Sequence, residues 1–420
     1  MTSLSGTGPT ILQIIPRLDG GGAEATTLEI TRALTAAGGK SIIATEGGAL
    51  EAEIAAAGGE IVHLPVASKN PLTIWRNINR LAGLARQKNV DILHARSRAP
   101  AWSAYAAARR LSLPYIATYH SKVHARPWLK VKYNAIMTRG ELVIANSHYT
   151  AAQIAAVHHM PTARIRVIPR GCDPARFDPA LFDPALPDGK AVAALRQSWA
   201  TANTQDPQAQ DFARDFVIVC PARLTRWKGQ MVLLEAVAQL PVQPVLVLTG
   251  DTDANPDYVA SLRSFATQAG LEKLIFAGHV ANMPQVLAAA DLAVLPSLEP
   301  EPFGRTAIEA QAAARVVIAS DEGGFRETVL AIKDSPEESA DVSAKESAKE
   351  SAEEIEVATG LRVPPNDPTA LADAIHQVMS MTAEQRAAMG MRGRARVMAQ
   401  FTTARLCSET LNIYHELIGG

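Results

Sequence analysis

The feature that most constrains this chain is a recurrence of short, largely apolar runs separated by stretches with amphipathic helical spacing. The runs fall at 10–15, 41–44, 61–64, 91–94, 115–118, 142–145 and 165–168. A strand in a sheet with one wet face alternates apolar and polar residues, whereas a strand covered on both faces reads as a continuous apolar run. The pattern therefore predicts a parallel sheet with helices on each side, the doubly wound α/β arrangement.

The alternation stops at Cys172, where the chain reads DPARFDPALFDPALPDG and then a polar, Gln-rich stretch. Proline breaks helix and strand alike, so 172–215 is expected to be an interdomain connection with an insertion. Apolar runs resume at 216–220, 245–249, 274–276, 292–295 and 316–319. Two Rossmann-like domains are predicted, 1–171 and 216–400, which suits a chain of 420 residues. Residues 333–356, with the repeated SAKESAKESAEE, have almost nothing to bury and read as a low-complexity insertion. The tail 382–418 reads as helical throughout, with its last helix, about 401–420, expected to cross back to the first domain.

Composition narrows the class. Hydrophobic residues at 47% and charged residues at 20% exclude a disordered or fibrous chain. No run approaches the roughly 20 apolar residues of a membrane span, and residues 1–8 lack the basic start of a secretory signal, so a cytoplasmic location is expected. Cys172, Cys220 and Cys407 are too scattered for a disulfide framework or a zinc site and read as free thiols. The net charge of -1 conceals an asymmetry: residues 1–170 hold 20 Lys and Arg against 9 Asp and Glu, and the remainder is acidic.

Ligands of open α/β sheets bind at the carboxyl ends of strands, so the loops there carry the chemistry. The run Glu299-Pro-Glu-Pro-Phe-Gly-Arg-Thr-Ala-Ile-Glu309 follows an apolar strand and opens a helix. Gly304 stands where backbone must approach a ligand, and the amides of Arg305 and Thr306 suit a phosphate. Glu309 is placed to reach a ribose, while Glu301, before the helix, is placed near a sugar. Acids near a helix start are also favoured by its dipole alone, although that does not account for Phe303-Gly304.

The run Arg223-Leu-Thr-Arg-Trp-Lys228-Gly229 follows another strand, and its two cations can bracket a diphosphate leaving group. After the first strand stands Asp19-Gly-Gly-Gly22, in which Gly20, Gly22 and Ala25 also fit a dinucleotide fingerprint, with Glu46 as its ribose acid. Residues 16–19 separate that strand from the glycines, which speaks against a nicotinamide site. His120 ends the run Tyr115-Ile-Ala-Thr-Tyr-His, where it is either a catalytic contact or a satisfied polar residue. Asp251 and Asp253 could hold a metal, but the cations and the helix start already supply a positive field.

With these motifs the chain resembles the large family of retaining GT-B glycosyltransferases known as family four. Arg223, Lys228-Gly229, Glu301, Phe303-Gly304, Glu309 and Gly323-Gly324 fall in that family's order and spacing. The N-terminal half agrees through Gly21-Gly22-Ala23-Glu24, His94, His120 and Ile165-Arg-Val-Ile-Pro-Arg-Gly171. The resemblance implies two Rossmann-like domains facing across a cleft and transfer with retention, without metal or cofactor. It assigns the diphosphate to Arg223 and Lys228, the sugar to Glu301 and His120, and the ribose to Glu309. It also implies that Gly21 and Gly22 let the N-terminal loop close on the phosphates.

Ser97, Arg98, Ala99 and Trp102 look like a feature of bacterial envelope-sugar transferases of the lipopolysaccharide type. Residues 120–139 hold Lys122, Arg126, Lys130, Lys132 and Arg139 and no acid, with Trp128 and Tyr133 among them, which reads either as a solvated basic helix or as a surface for an anionic partner. On the second reading Arg98, Lys122 and Arg126 are expected on the acceptor side, with an anionic lipid-linked or lipopolysaccharide-type saccharide as acceptor and peripheral contact with the inner membrane. No nucleic-acid partner is expected. A sugar-nucleotide epimerase on the same fold and an NAD-dependent oxidoreductase are the competing readings.

Overall fold

The computed structural model describes residues 8–201, 215–331 and 358–419. The readings made above for 333–356 and for the Gln-rich stretch lie outside the described residues. The chain forms two compact units, Met1–Arg170 with Thr403–Gly420, and Gly171–Thr402.

The first unit is built on seven strands, β1 (Thr10–Ile14), β2 (Lys40–Thr45), β3 (Glu60–His63), β4 (Ile92–Ala95), β5 (Tyr115–Tyr119), β6 (Leu142–Ala145) and β7 (Ile165–Val167). They pair in the order β3-β2-β1-β4-β5-β6-β7, every pairing parallel. β1, β4, β5 and β6 are buried along their whole length, while β3 is half exposed, as an edge strand can be. One face packs Leu12, Leu93, Ala117 and Val143 against the helices Pro71–Gln87 and Arg98–Leu111. The other packs Ile11, Ile92, Ile116 and Ile144 against Ile30, Leu34 and the C-terminal residues Leu406, Ile413 and Tyr414.

The second unit holds β8 (Val217–Cys220), β9 (Val245–Thr249), β10 (Leu274–Gly278), β11 (Leu292–Leu295), β12 (Val316–Ser320) and β13 (Leu361–Val363). Their order, β10-β9-β8-β11-β12-β13, repeats the winding of the first sheet, again with parallel pairing throughout. Both faces are apolar: Ile218, Leu246, Leu292 and Ile318 on one, Val219, Val247, Ala293 and Val317 on the other. The doubly wound class expected from the apolar runs is thus present in both units.

Three local readings need correction. β13 was not anticipated, because a strand of three residues centred on Arg362 carries no apolar run. Residues 172–201 belong to the second unit: Trp199, on the helix Pro187–Thr201, is buried with Val286 and Leu287 in its core. The repeated Asp-Pro-Ala units ahead of that helix are turns in which Asp173, Asp178 and Asp183 accept from the amides of Ala175, Ala180 and Ala185, at 3.1, 3.0 and 2.8 Å. The proline-rich run thus marked local turns, not the absence of a packed element.

The tail, read as helical throughout, is interrupted once, close to where its last helix was expected to begin, and that helix belongs to the first unit. The break falls between Ala383–Gln400 and Thr403–Gly419 at Phe401, whose side chain is buried against Phe303 with ring centroids 5.7 Å apart. All three cysteines are buried and outside disulfides, and burial pushes the thiols of Cys220 and Cys407 up to about 12.

Candidate functional site

In the second unit the strand order reverses between β8 and β11, which are neighbours in the sheet but not in sequence. A crevice for ligands forms outside the carboxyl ends of the strands at such a point. The loops that leave β8 and β11 are the ones carrying Arg223, Lys228, Glu301 and Gly304, so the topology brings these two motifs together. Leu298 N donates to Trp227 O at 2.7 Å and ties the loops directly.

Lys228 ends a single tight turn, Arg226–Lys228, and Gly229 follows it in the left-handed region at φ 74°. A Cβ at Gly229 would overlap the carbonyl of Pro296 at the start of the other loop, so glycine is required for the close approach. The Lys228 ammonium forms an ion pair with Glu301 and lies 4.3 Å from the centre of the Trp227 ring. Ser297 Oγ donates to the same Glu301 oxygen at 3.1 Å. The backbone of Glu301 is held as well, pairing with Gly323 and accepting from Gly324 N at 2.7 Å.

Three residues beyond Glu301 the chain turns into the helix Arg305–Ala312, with Gly304 as its cap at φ 93°. Phe303 is buried beneath this turn. Gly304 contributes no capping side chain to the first turn of this helix, which begins with Arg305 and Thr306. Glu309 accepts from Arg305 Nε at 3.0 Å. Burial pushes its carboxyl up from the usual range, and Arg305, then Arg176, oppose that rise. Arg223 stands on the same loop as Lys228, and its carbonyl accepts from Gln230 Nε2 at 2.9 Å.

Asp251 accepts from the amide of Asp253 at 2.9 Å in an Asx turn, and among the described residues no three His, Cys, Asp or Glu converge as metal ligands.

In the first unit Gly21 caps the helix Gly22–Ala36, and the Gly22 carbonyl accepts from Arg170 Nη1. His120, just past β5, receives a hydrogen bond from Arg170 Nη2 on Nδ1 at 2.6 Å. Burial, then the charge of Arg170, holds the His120 ring well below the usual histidine range. His94, by contrast, is a core residue spent on Tyr414 Oη and Thr118 Oγ1, each at 2.7 Å. Arg98 Nη2 donates to Lys122 O at 2.7 Å and so anchors the loop after β5, on which Arg126 is exposed.

The dinucleotide reading finds no support here, since residues 15–19 stand between Ile14, the end of β1, and Gly20, while Glu46 accepts from Ala67 N at 3.0 Å. The sequence reading overlooked Ser297, Arg170 and Arg96. Arg96 is buried with Nε and Nη2 both on Gln13 Oε1, at 3.1 and 2.5 Å. Gln13, a polar residue in the middle of an apolar strand, was the signal for that pair.

Both halves of the chain resemble known proteins. The model for Glycosyltransferase Family 4 matches residues 20–176, and that for Glycosyl transferases group 1 matches residues 202–396. A D-inositol 3-phosphate glycosyltransferase of Mycolicibacterium gilvum is 26% identical over 250 residues, 56% of this chain and 52% of that protein. This chain therefore spans about half the length of that relative. The enzyme of the same description from Xylanimonas cellulosilytica is 25% identical over 341 residues, 74% of this chain and 78% of its own.

Among solved structures, a glycosyltransferase from Rickettsia africae is 28% identical with a TM-score of 0.83, covering 98% of this chain and 99% of that one. Anabaena HepE in complex with UDP shares the fold at 22% identity and a TM-score of 0.78, covering 97% and 100%. Two matched family models in this order, on two doubly wound units, make the chain a member of the GT-B glycosyltransferases of family four.

Proposed function

We propose that this chain is a retaining, metal-independent glycosyltransferase that takes its sugar from a nucleoside diphosphate sugar. The observation that carries the reading is the convergence of Lys228, Glu301 and the Gly304 helix start at the reversal between β8 and β11. Arg223 and Lys228 hold the diphosphate, together with the first helical amides of Arg305 and Thr306. Glu301 accepts from sugar hydroxyls, and Glu309 turns from Arg305 to the ribose.

In the reaction the bond from the anomeric carbon to the β-phosphate oxygen breaks, and charge grows on that oxygen where Lys228 and Arg223 can offset it. The acceptor hydroxyl bonds to the anomeric carbon from the same face, and its proton passes to the departing phosphate. His120 donates to the sugar near the reacting carbon, and Gly21 and Gly22 let their loop approach the phosphates.

For the acceptor we favour an anionic, lipid-linked saccharide met at an anionic membrane surface. Support comes from the exposed Arg126, Trp128, Leu129, Lys130 and Lys132. No helix among the described residues is long and apolar enough to cross a membrane.

The test is incubation with UDP-, GDP- and ADP-sugars in excess chelator, reading nucleoside diphosphate release and the anomeric configuration of the product. UDP is included because HepE was solved with it. Release with retained configuration is expected. Inverted product, or activity only on adding magnesium or manganese, defeats the corresponding part of the reading.

A further inference from the structure

The two ring nitrogens of His120 have unlike surroundings. Nδ1 lies 2.6 Å from Arg170 Nη2, whereas Nε2 is buried with no hydrogen-bond partner among the described residues. A guanidinium carries only N–H donors, so Nδ1 meets it with a lone pair. In a neutral imidazole the proton then sits on Nε2. A protonated ring would set two N–H groups head to head, beside the further positive charge of Arg96.

Arg170 is clamped in its own place. It is buried, its Nη1 donates to the Gly22 carbonyl, and the same nitrogen lies 3.4 Å from Thr26 Oγ1. A Cβ on Gly22 would stand 2.6 Å from Nη1, so the glycine leaves room for this clamp as well as for the turn. A histidine that only packed here would leave a buried N–H unpaired at a cost that an apolar residue avoids.

We infer that Arg170 is a positioning residue that presents His120 as an Nε2–H donor to an oxygen of the bound substrate. The inference rests on the reading of His120 as the residue that contacts the donor sugar. It assigns to Arg170 a role that acts through His120 and requires no substrate contact of its own.

The tautomer is measured by nitrogen NMR on the substrate-free protein with labelled histidine, and transfer is measured on the same samples. The wild type should show His120 with its proton on Nε2. Arg170→Met should give mixed tautomers and a kcat lower by about tenfold, with KM for the donor within about twofold, the size of one lost hydrogen bond to the reacting sugar. Arg170→Lys, which keeps a donor toward Nδ1, should restore the Nε2–H form and most of the kcat.

A proton on Nδ1 in the wild type overturns the inference whether or not any variant folds. So does Arg170→Met with an unchanged spectrum and full kcat. Failure of the wild type to transfer from any nucleotide sugar would instead remove the proposed function, and with it the substrate that His120 is said to serve.

Discussion

Lys228 and Glu301 reach each other from loops after two strands that are adjacent only in the sheet, and their side chains are 15% and 10% exposed. Each charge is therefore held largely away from water by its partner. Removing either one strands the other, at a cost of about 1–3 kcal/mol. Lys228→Ala and Glu301→Gln should both lower stability by that amount in denaturant titrations. The double variant should lose less than the sum of the two, because it leaves no unmatched charge. Both single variants should also slow transfer by on the order of 100-fold. Transfer within about twofold of the parent for Lys228→Ala would remove it from the site.

Gly304→Ala tests whether the helix start is built for close approach. The position has φ 93°, and a Cβ there would lie 2.6 Å from the Phe325 ring, itself fully buried. Strain and overpacking together should cost about 2 kcal/mol or more. A lower Tm is expected, along with weaker binding of nucleoside diphosphate measured by calorimetry, since the amides of Arg305 and Thr306 move with the turn. An unchanged Tm would mean that the turn relaxes freely.

The fold was legible because a buried parallel strand such as Leu292–Leu295 or Leu142–Ala145 has no polar position to hide it. β13 escaped because Arg362 interrupts it, and Trp199 escaped because prolines ahead of its helix read as linker. In the site, residues near one another in sequence were found together, as Glu301, Phe303 and Gly304 were. Partnerships across the chain were not: nothing local in Lys228 names Glu301, and nothing in Arg170 names His120. Such pairs depend on which strands become neighbours, a long-range property that periodicity does not encode.

Glu309 makes the pH dependence testable. Its folded pKa is raised above the ordinary 4.5, chiefly by burial. A raised carboxyl contributes stability that is fully present below the unfolded value and lost as pH rises through the folded one. Wild-type stability, measured against Glu309→Gln, should therefore decline from about pH 4 toward neutrality, with the slope lying above the unfolded value. Bound nucleotide should weaken this trend if the carboxylate accepts from the ribose. A difference between wild type and variant that does not change with pH would show that Arg305 fully compensates the buried charge.

The basic segment after β5 leads to the last prediction. Arg126, Lys130, Lys132 and Arg139 are exposed there, while Trp128 and Leu129, on the short helix Trp128–Asn134, are 67% and 62% exposed. Tyr133 on the same helix packs instead against Trp102, with ring centroids 5.6 Å apart, so one side of the helix is anchored and the other shows apolar groups among cations. A bilayer of anionic lipid matches that surface, its headgroups meeting the cations and its interface taking the indole. Vesicle co-sedimentation should show binding that needs anionic lipid and weakens with added salt, because the field is screened to about 10 Å at 0.1 M. Replacing Arg126, Lys130 and Lys132 with Gln should reduce binding steeply, at about 1 kcal/mol for each charge near the surface. Trp128→Ala should weaken it further at every salt concentration, since its contribution is burial of apolar surface and not charge. Nucleotide binding should survive in all of these variants, because Arg223, Lys228, Glu301 and Glu309 belong to the other unit. Equal affinity for neutral and anionic vesicles would leave the exposed tryptophan and its cations without the membrane role argued for them.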